Sequence, residues 1–113
     1  MHEVAIMTET VAIACASAKQ QNATKIVGLT MRIGAMSGVV PEALSFAFEA
    51  VAGGTLAEQA KLIIEMVPVT CYCAQCDRPF TPLDLFDECP LCGNLSQQIL
   101  SGKEVELKSL EVI

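Results

Sequence analysis

The chain has 113 residues, 52% hydrophobic and 18% charged, with 13 Asp and Glu against 7 Lys and Arg for a net charge of −6. That length fits one compact domain, or a small domain carrying a smaller lobe, and so apolar a composition excludes an intrinsically disordered chain. The acidic balance argues against a nucleic-acid binder, which needs a basic stripe for phosphates, and no apolar run reaches the roughly 18 residues of a membrane span.

From Glu3 to Gln20, Val4, Met7, Val11, Cys15 and Ala18 recur at spacings of three and four. This is the period of an amphipathic helix. Glu3 suits the positive end of its dipole and Lys19 the negative end, and Asn22 is the expected stop. Val27, Leu29, Met31 and Ile33 then alternate with Gly28, Thr30 and Arg32, which predicts a half-buried strand. After a loop over 34–38, Pro41 stands where a helix tolerates a missing N–H. Leu44, Phe48 and Val51 line one face of that second helix, with Phe46 and Ala47 alongside, and Gly53-Gly54 ends it. Lys61 to Val67 reads as a second strand, with Leu62, Ile64 and Met66 on one face and Ile63, Glu65 and Val67 on the other. In the closing stretch, Val105 and Leu107 keep one phase and Leu110 and Val112 another. A strand with a bulge near Lys108-Ser109 accounts for the shift.

The predicted fold class is therefore α+β: a small mixed sheet of about three strands packed with two helices, plus an inserted zinc-ribbon-like lobe. Residues 1–68 and 102–113 form the α/β part and 69–101 the insert.

The insert holds five of the six Cys: Cys71, Cys73 and Cys76, then Cys89-Pro90-Leu91-Cys92. Two C-x₂-C pairs a dozen residues apart have the spacing of a tetrathiolate zinc site on Cys73, Cys76, Cys89 and Cys92. A lobe of about 30 residues buries too little core to stand alone and needs such a staple. Iron in a rubredoxin-like electron carrier is the rival, since four thiolates suit either metal. A zinc-ribbon adaptor is another. Cys71, two residues before Cys73, projects to the same side of an extended backbone and is an alternative ligand. Cys15 lies on the apolar helical face as a small hydrophobe. Cysteines in a chain with no basic, apolar leader point to metal or redox use in a reducing compartment, the cytoplasm.

The single His is His2. A terminal amine, the His2 backbone nitrogen and the His2 imidazole close fused chelate rings on one metal. Such a nitrogen-rich planar set suits Ni(II) or Cu(II), with the Glu3 nitrogen or carboxylate in the fourth position. The alternative is a frayed terminal residue beside a helix-dipole charge. No P-loop, G-x-G-x-x-G or nucleophile with its base is present, so nothing here reads as an enzyme.

Taken together, Met1-His2-Glu3 opening a helix, Arg32-Ile33-Gly34 with Ser37, Phe46-x-Phe48-Glu49, and the paired knuckles Cys73-x₂-Cys76 and Cys89-Pro-Leu-Cys92 resemble the HypA/HybF family. These are nickel-insertion accessory proteins for [NiFe]-hydrogenase maturation, and the resemblance covers the whole chain. It implies a metallochaperone with Ni(II) as cargo at the N-terminus and a structural Zn(II) in the second lobe. His2 is the implied key nickel ligand, assisted by the Met1 amine and by neighbouring backbone nitrogens or Glu3. The implied partners are a HypB-type nickel-binding GTPase and the hydrogenase large-subunit precursor, and some relatives also serve urease. Certain relatives carry an acid where Val40 stands; Val40 offers no ligand, and Glu42 is the nearest acid. The expected state is a monomer, with joints near Pro68 and Ser101-Gly102 offering a route to dimers by strand or lobe exchange.

Overall fold

The computed structural model describes residues 2–82, 88–95 and 98–113. Helix α1 (Glu3–Gln20) contains neither Gly nor Pro. It ends in a Schellman motif built on Asn22, whose φ of 57° is left-handed. The Asn22 N–H reaches Lys19 O at 3.0 Å and the Ala23 N–H reaches Ala18 O at 3.0 Å, which satisfies the last carbonyls. Strand β1 (Ile26–Gly34), helix α2 (Pro41–Ala52) and strand β2 (Lys61–Val67) follow. The short strands β3 (Thr70–Cys73), β4 (Arg78–Phe80) and β5 (Gln98–Ser101) belong to the insert, and β6 (Val105–Val112) closes the chain.

Two three-stranded sheets result, ordered β2-β1-β6 and β4-β3-β5. In the first, β2 runs parallel to β1 because α2 supplies the crossover, and β6 runs antiparallel on the other side. Register puts Leu29, Met31 and Ile33 level with Leu62, Ile64 and Met66 on one flank and with Leu110, Leu107 and Val105 on the other. One face of the sheet thus meets the helices. The step from Thr30–Ser109 to Met31–Leu107 skips Lys108, so the expected bulge falls on Lys108. On the opposite face Arg32 pairs with Glu106 at 3.1 Å and Lys108 with Glu65 at 2.9 Å. Such exposed pairs contribute little stability.

The larger core joins Met7, Val11, Ala14 and Ala18 of α1 and Leu44, Ala47, Phe48 and Ala52 of α2 to the sheet. Three apolar positions are more exposed than their pattern suggests. Val4 is 60% exposed, because the buried stripe starts one turn later at Met7. Phe46 is 76% exposed: it lies two residues, about 200° of helix rotation, from both Leu44 and Phe48, whose side chains fill the core. Met66 shares the inner face by register yet is half-exposed at the end of its strand. Among the described residues no helix is long and apolar enough to cross a membrane.

The insert meets the first sheet at a tight crossing. Gly34 N–H donates to Glu104 O at 2.7 Å, Ala35 N–H to Val67 O at 2.9 Å and Met36 N–H to Gly102 O at 2.7 Å. Ser101 Oγ donates to Pro68 O at 2.9 Å. The segment after β1 is therefore tied to both the entry and the exit of the insert. The molecule extends 54 Å along its longest axis.

Candidate metal centres

Four cysteines converge at the far end of the insert. Strand β3 ends on Cys73, a turn brings in Cys76, and a second turn presents Cys89 and Cys92. Their sulfurs all lie within 4.8 Å of one another, and Cys73 Sγ and Cys92 Sγ are 3.5 Å apart. A tetrahedron with metal–sulfur arms of about 2.3 Å has sulfur–sulfur edges of roughly 3.8 Å, so a Zn(II)-sized ion fits with little movement. None of the six cysteines is in a disulfide.

The two turns are built alike. Cys76 N–H donates to Cys73 Sγ at 3.4 Å, and the N–H groups of Cys92 and Leu91 point at the Cys89 sulfur. Each turn closes on a left-handed residue directly after its second cysteine: Asp77 with φ 51° and Gly93 with φ 76°. The first turn thus does with Asp what the second does with Gly, and Tyr72 OH donates to the Asp77 carboxylate. Asn94 Nδ2 donates to Gln75 Oε1 and joins the two turns side by side. Replacing Asp77 by Val, a β-branched residue in a left-handed position, is expected to destabilise the lobe by about 1–2 kcal/mol. Competition with a chelator measures this as earlier metal loss.

Electrostatics prepares the sulfurs unequally. Backbone N–H groups of Cys92 and Leu91 hold the Cys89 thiol down at about 7, whereas its hydrogen bond with Cys92, together with burial, pushes Cys76 up to about 12. Without metal, Cys89 is therefore the readier thiolate. Cys71 lies outside this group. It is fully buried in β3, opposite Phe80 and Ile99, and forms the small core of the insert with Cys73, Phe80 and Cys89. Cys15 is half-buried against the main core, in the wall of a groove of about 590 Å³ shared with Val11, Lys19, Val51 and Leu56.

The other expected metal residues stand at the head of α1. His2 is the exposed N-cap residue, and its side chain makes no capping hydrogen bond. Met1 lies outside the described residues. Glu3 opens the helix, and its Oε2 accepts the Val40 N–H at 3.3 Å. Its own N–H and then that of Val40 hold the carboxyl below the usual carboxylate range. Val40 therefore does lie beside the N-terminus, but through its backbone. This contact carries no sequence signature, because any residue except Pro offers an N–H.

A family model described as "HypA: Hydrogenase/urease nickel incorporation, metallochaperone" matches residues 1–112. The chain is 89% identical over 113 residues to the hydrogenase maturation factor HypA of Picosynechococcus sp., covering all of both chains. It is 41% identical over 112 residues to that of Geobacter metallireducens, with 99% of each covered. The solution structure of the Ni metallochaperone HypA from Helicobacter pylori superposes with a TM-score of 0.72 at 29% identity, covering 100% of this chain and 98% of that one. Two helices on a mixed sheet, a four-cysteine cluster and these whole-length matches agree, and the chain belongs to the HypA family of hydrogenase maturation factors and nickel metallochaperones.

Proposed function

We propose that this protein binds Ni(II) at its N-terminus, delivers it during [NiFe]-hydrogenase maturation and turns over no substrate, while Zn(II) on Cys73, Cys76, Cys89 and Cys92 holds its second lobe, residues 69–101. The observation that carries the reading is the exposed His2 at the head of α1, its imidazole not spent on capping the helix. The Met1 amine, the His2 nitrogens and the Glu3 backbone nitrogen make a planar set suited to Ni(II). The first N–H groups of a helix have no carbonyl partner within it, so nickel takes the His2 and Glu3 nitrogens without breaking the helix, replacing only the bond from the Glu3 N–H to its own carboxylate. The cysteine set is closed: four thiolates fill a tetrahedron, as in structural zinc sites. The receiving proteins are the HypB-type nickel-binding GTPase and the hydrogenase large-subunit precursor, and the protein works in the cytoplasm.

Isothermal titration tests the nickel site. His2→Ala, or extra residues placed before Met1, are expected to abolish most nickel binding while zinc content and helical signal stay unchanged. Undiminished nickel affinity in both altered forms would place the site elsewhere. Acid is expected to weaken nickel, since amine, imidazole and backbone nitrogens must all lose protons to ligate. A titration series at falling pH reads this directly.

A further inference from the structure

Resting on the N-terminal nickel reading, we infer that the Glu3 side chain is a positioning residue for nickel and not one of its ligands: its carboxylate anchors the metal-binding N-terminus to the start of α2 through the Val40 N–H. The Oε2 of Glu3 lies 3.3 Å from that nitrogen, across 37 positions of sequence. Val40 is the N-cap residue of α2, and its own side chain gives the helix no capping bond. The Glu3 carboxylate supplies negative charge at that positive helix end.

The Val40 amide is a fixed point. Val39, beside it, is 7% exposed, and the Val39 N–H is held by Ser37 Oγ at 3.2 Å. Val40 O accepts the Leu44 N–H at 3.1 Å, and Pro41 stiffens the next position. The root of the same loop is tied to Val67 and Gly102. At the head of α1 the His2 carbonyl accepts the Ile6 N–H at 3.1 Å, and the Glu3 side chain adds a tie to the α2 loop, where a chain end would otherwise fray. The terminal amine, two His2 nitrogens and the Glu3 nitrogen already fill four planar positions on Ni(II). The carboxylate is left to hold the chain in place, so that the ordering cost of nickel binding is met before the metal arrives.

The test separates ligand from anchor on untagged protein. Val40→Pro deletes the donor and leaves Glu3 intact; Val40 has φ −92° and ψ 116°, extended as a residue before Pro41 requires and about 30° in φ from what Pro adopts. Glu3→Gln keeps an acceptor, and Glu3→Ala removes it. Val40→Pro and Glu3→Ala are each expected to weaken nickel about tenfold, the weight of one charge-assisted hydrogen bond. The double variant should be no weaker than either single one, and Glu3→Gln should stay within about threefold of the parent. The nickel d–d absorption band should keep its position in all of them, because the ligand set is unchanged. If Val40→Pro leaves affinity intact while Glu3→Gln and Glu3→Ala both weaken nickel and shift the band, the carboxylate is a ligand and the inference fails. Should Val40→Pro not fold, the band position and the Gln against Ala contrast still decide. Full nickel affinity in His2→Ala is the separate result that removes the N-terminal site itself.

Discussion

Cys89→Ser combined with Cys92→Ser will leave the protein without zinc and will unfold the insert, while both helices and the β2-β1-β6 sheet persist. Among the described residues, the small core of the insert is Cys71, Cys73, Phe80 and Cys89, so most of these buried groups are sulfurs. No member of the larger core comes from β3, β4 or β5. Structural zinc in small modules contributes about 10–16 kcal/mol of apparent binding free energy, which is folding free energy when the site does not preexist. Among the described residues of the insert, nothing else matches that. Elemental analysis should read no zinc, and limited proteolysis should cut within 69–101 and spare the rest. Zinc retained by the double variant, or loss of the whole helical signal, would contradict this account. Parent protein should read zinc and not iron.

The same cluster sets a pH dependence. Cys89 is held down at about 7 by backbone N–H groups, so above that pH zinc meets one thiolate already formed. As pH falls through 7 that proton must also be displaced, and zinc affinity should fall more steeply with each further drop. In the metal-free lobe Cys76, pushed up to about 12, acts with the opposite sign to Cys89, its contribution being lost as pH rises. Titrations in buffers of different ionisation enthalpy count the protons released and check both statements.

Gly34→Ala is the second large effect expected. A Cβ on Gly34 would stand 2.1 Å from the carbonyl carbon and oxygen of Gly102 and 2.5 Å from the nitrogen of Lys103. These are backbone atoms, so no rotamer change relieves the clash. Gly102 is itself committed, with φ 115° and a hypothetical Cβ 2.9 Å from Val69 Cα. Forcing the strands apart would break the Gly34–Glu104 and Met36–Gly102 hydrogen bonds, both 2.7 Å. A loss of about 3 kcal/mol is expected, or roughly 15 °C in melting temperature for a chain of this size. Thermal denaturation of the zinc-loaded protein measures it, and an unchanged melting temperature would mean that this crossing is looser than the distances say.

Periodicity made most of the larger lobe legible. Eighteen residues without Gly or Pro, ending before Asn22, define α1, and Pro41 and Gly53 bracket α2. The phase change between Leu107 and Leu110 located the bulge, because a one-residue slip turns side chains to the other face. Pattern put Phe48 on the buried face with Leu44 and set Phe46 alongside it, but did not show that Phe46 turns fully outward. Both are aromatic, and the difference is rotation about a helix whose partner lies far away in sequence. The strands of the insert were less legible still, since β4 has three residues and β3 and β5 four each, too few to show a period. Thiolate spacing singled out the four cysteines that the fold gathers. The matching roles of Asp77 and Gly93 were readable only as a position, directly after the second cysteine of each turn. The Glu3–Val40 bond was not readable at all, since it joins a side chain to a backbone amide.

The bond from Ser101 to Pro68 has a consequence for how freely the insert can vary. Its two ends stand side by side, so the rest of the chain meets it as a loop already closed. The entropy of closing a loop grows only as the logarithm of its length, about 0.6 kcal/mol for each doubling. Lengthening the stretch between the two cysteine turns, or trading it for another that returns to the same two points, therefore leaves the helix-and-sheet lobe almost untouched in free energy. Evolution can remodel the zinc-bearing end at little thermodynamic penalty, provided that Gly34 and Gly102 keep the crossing through which it is attached.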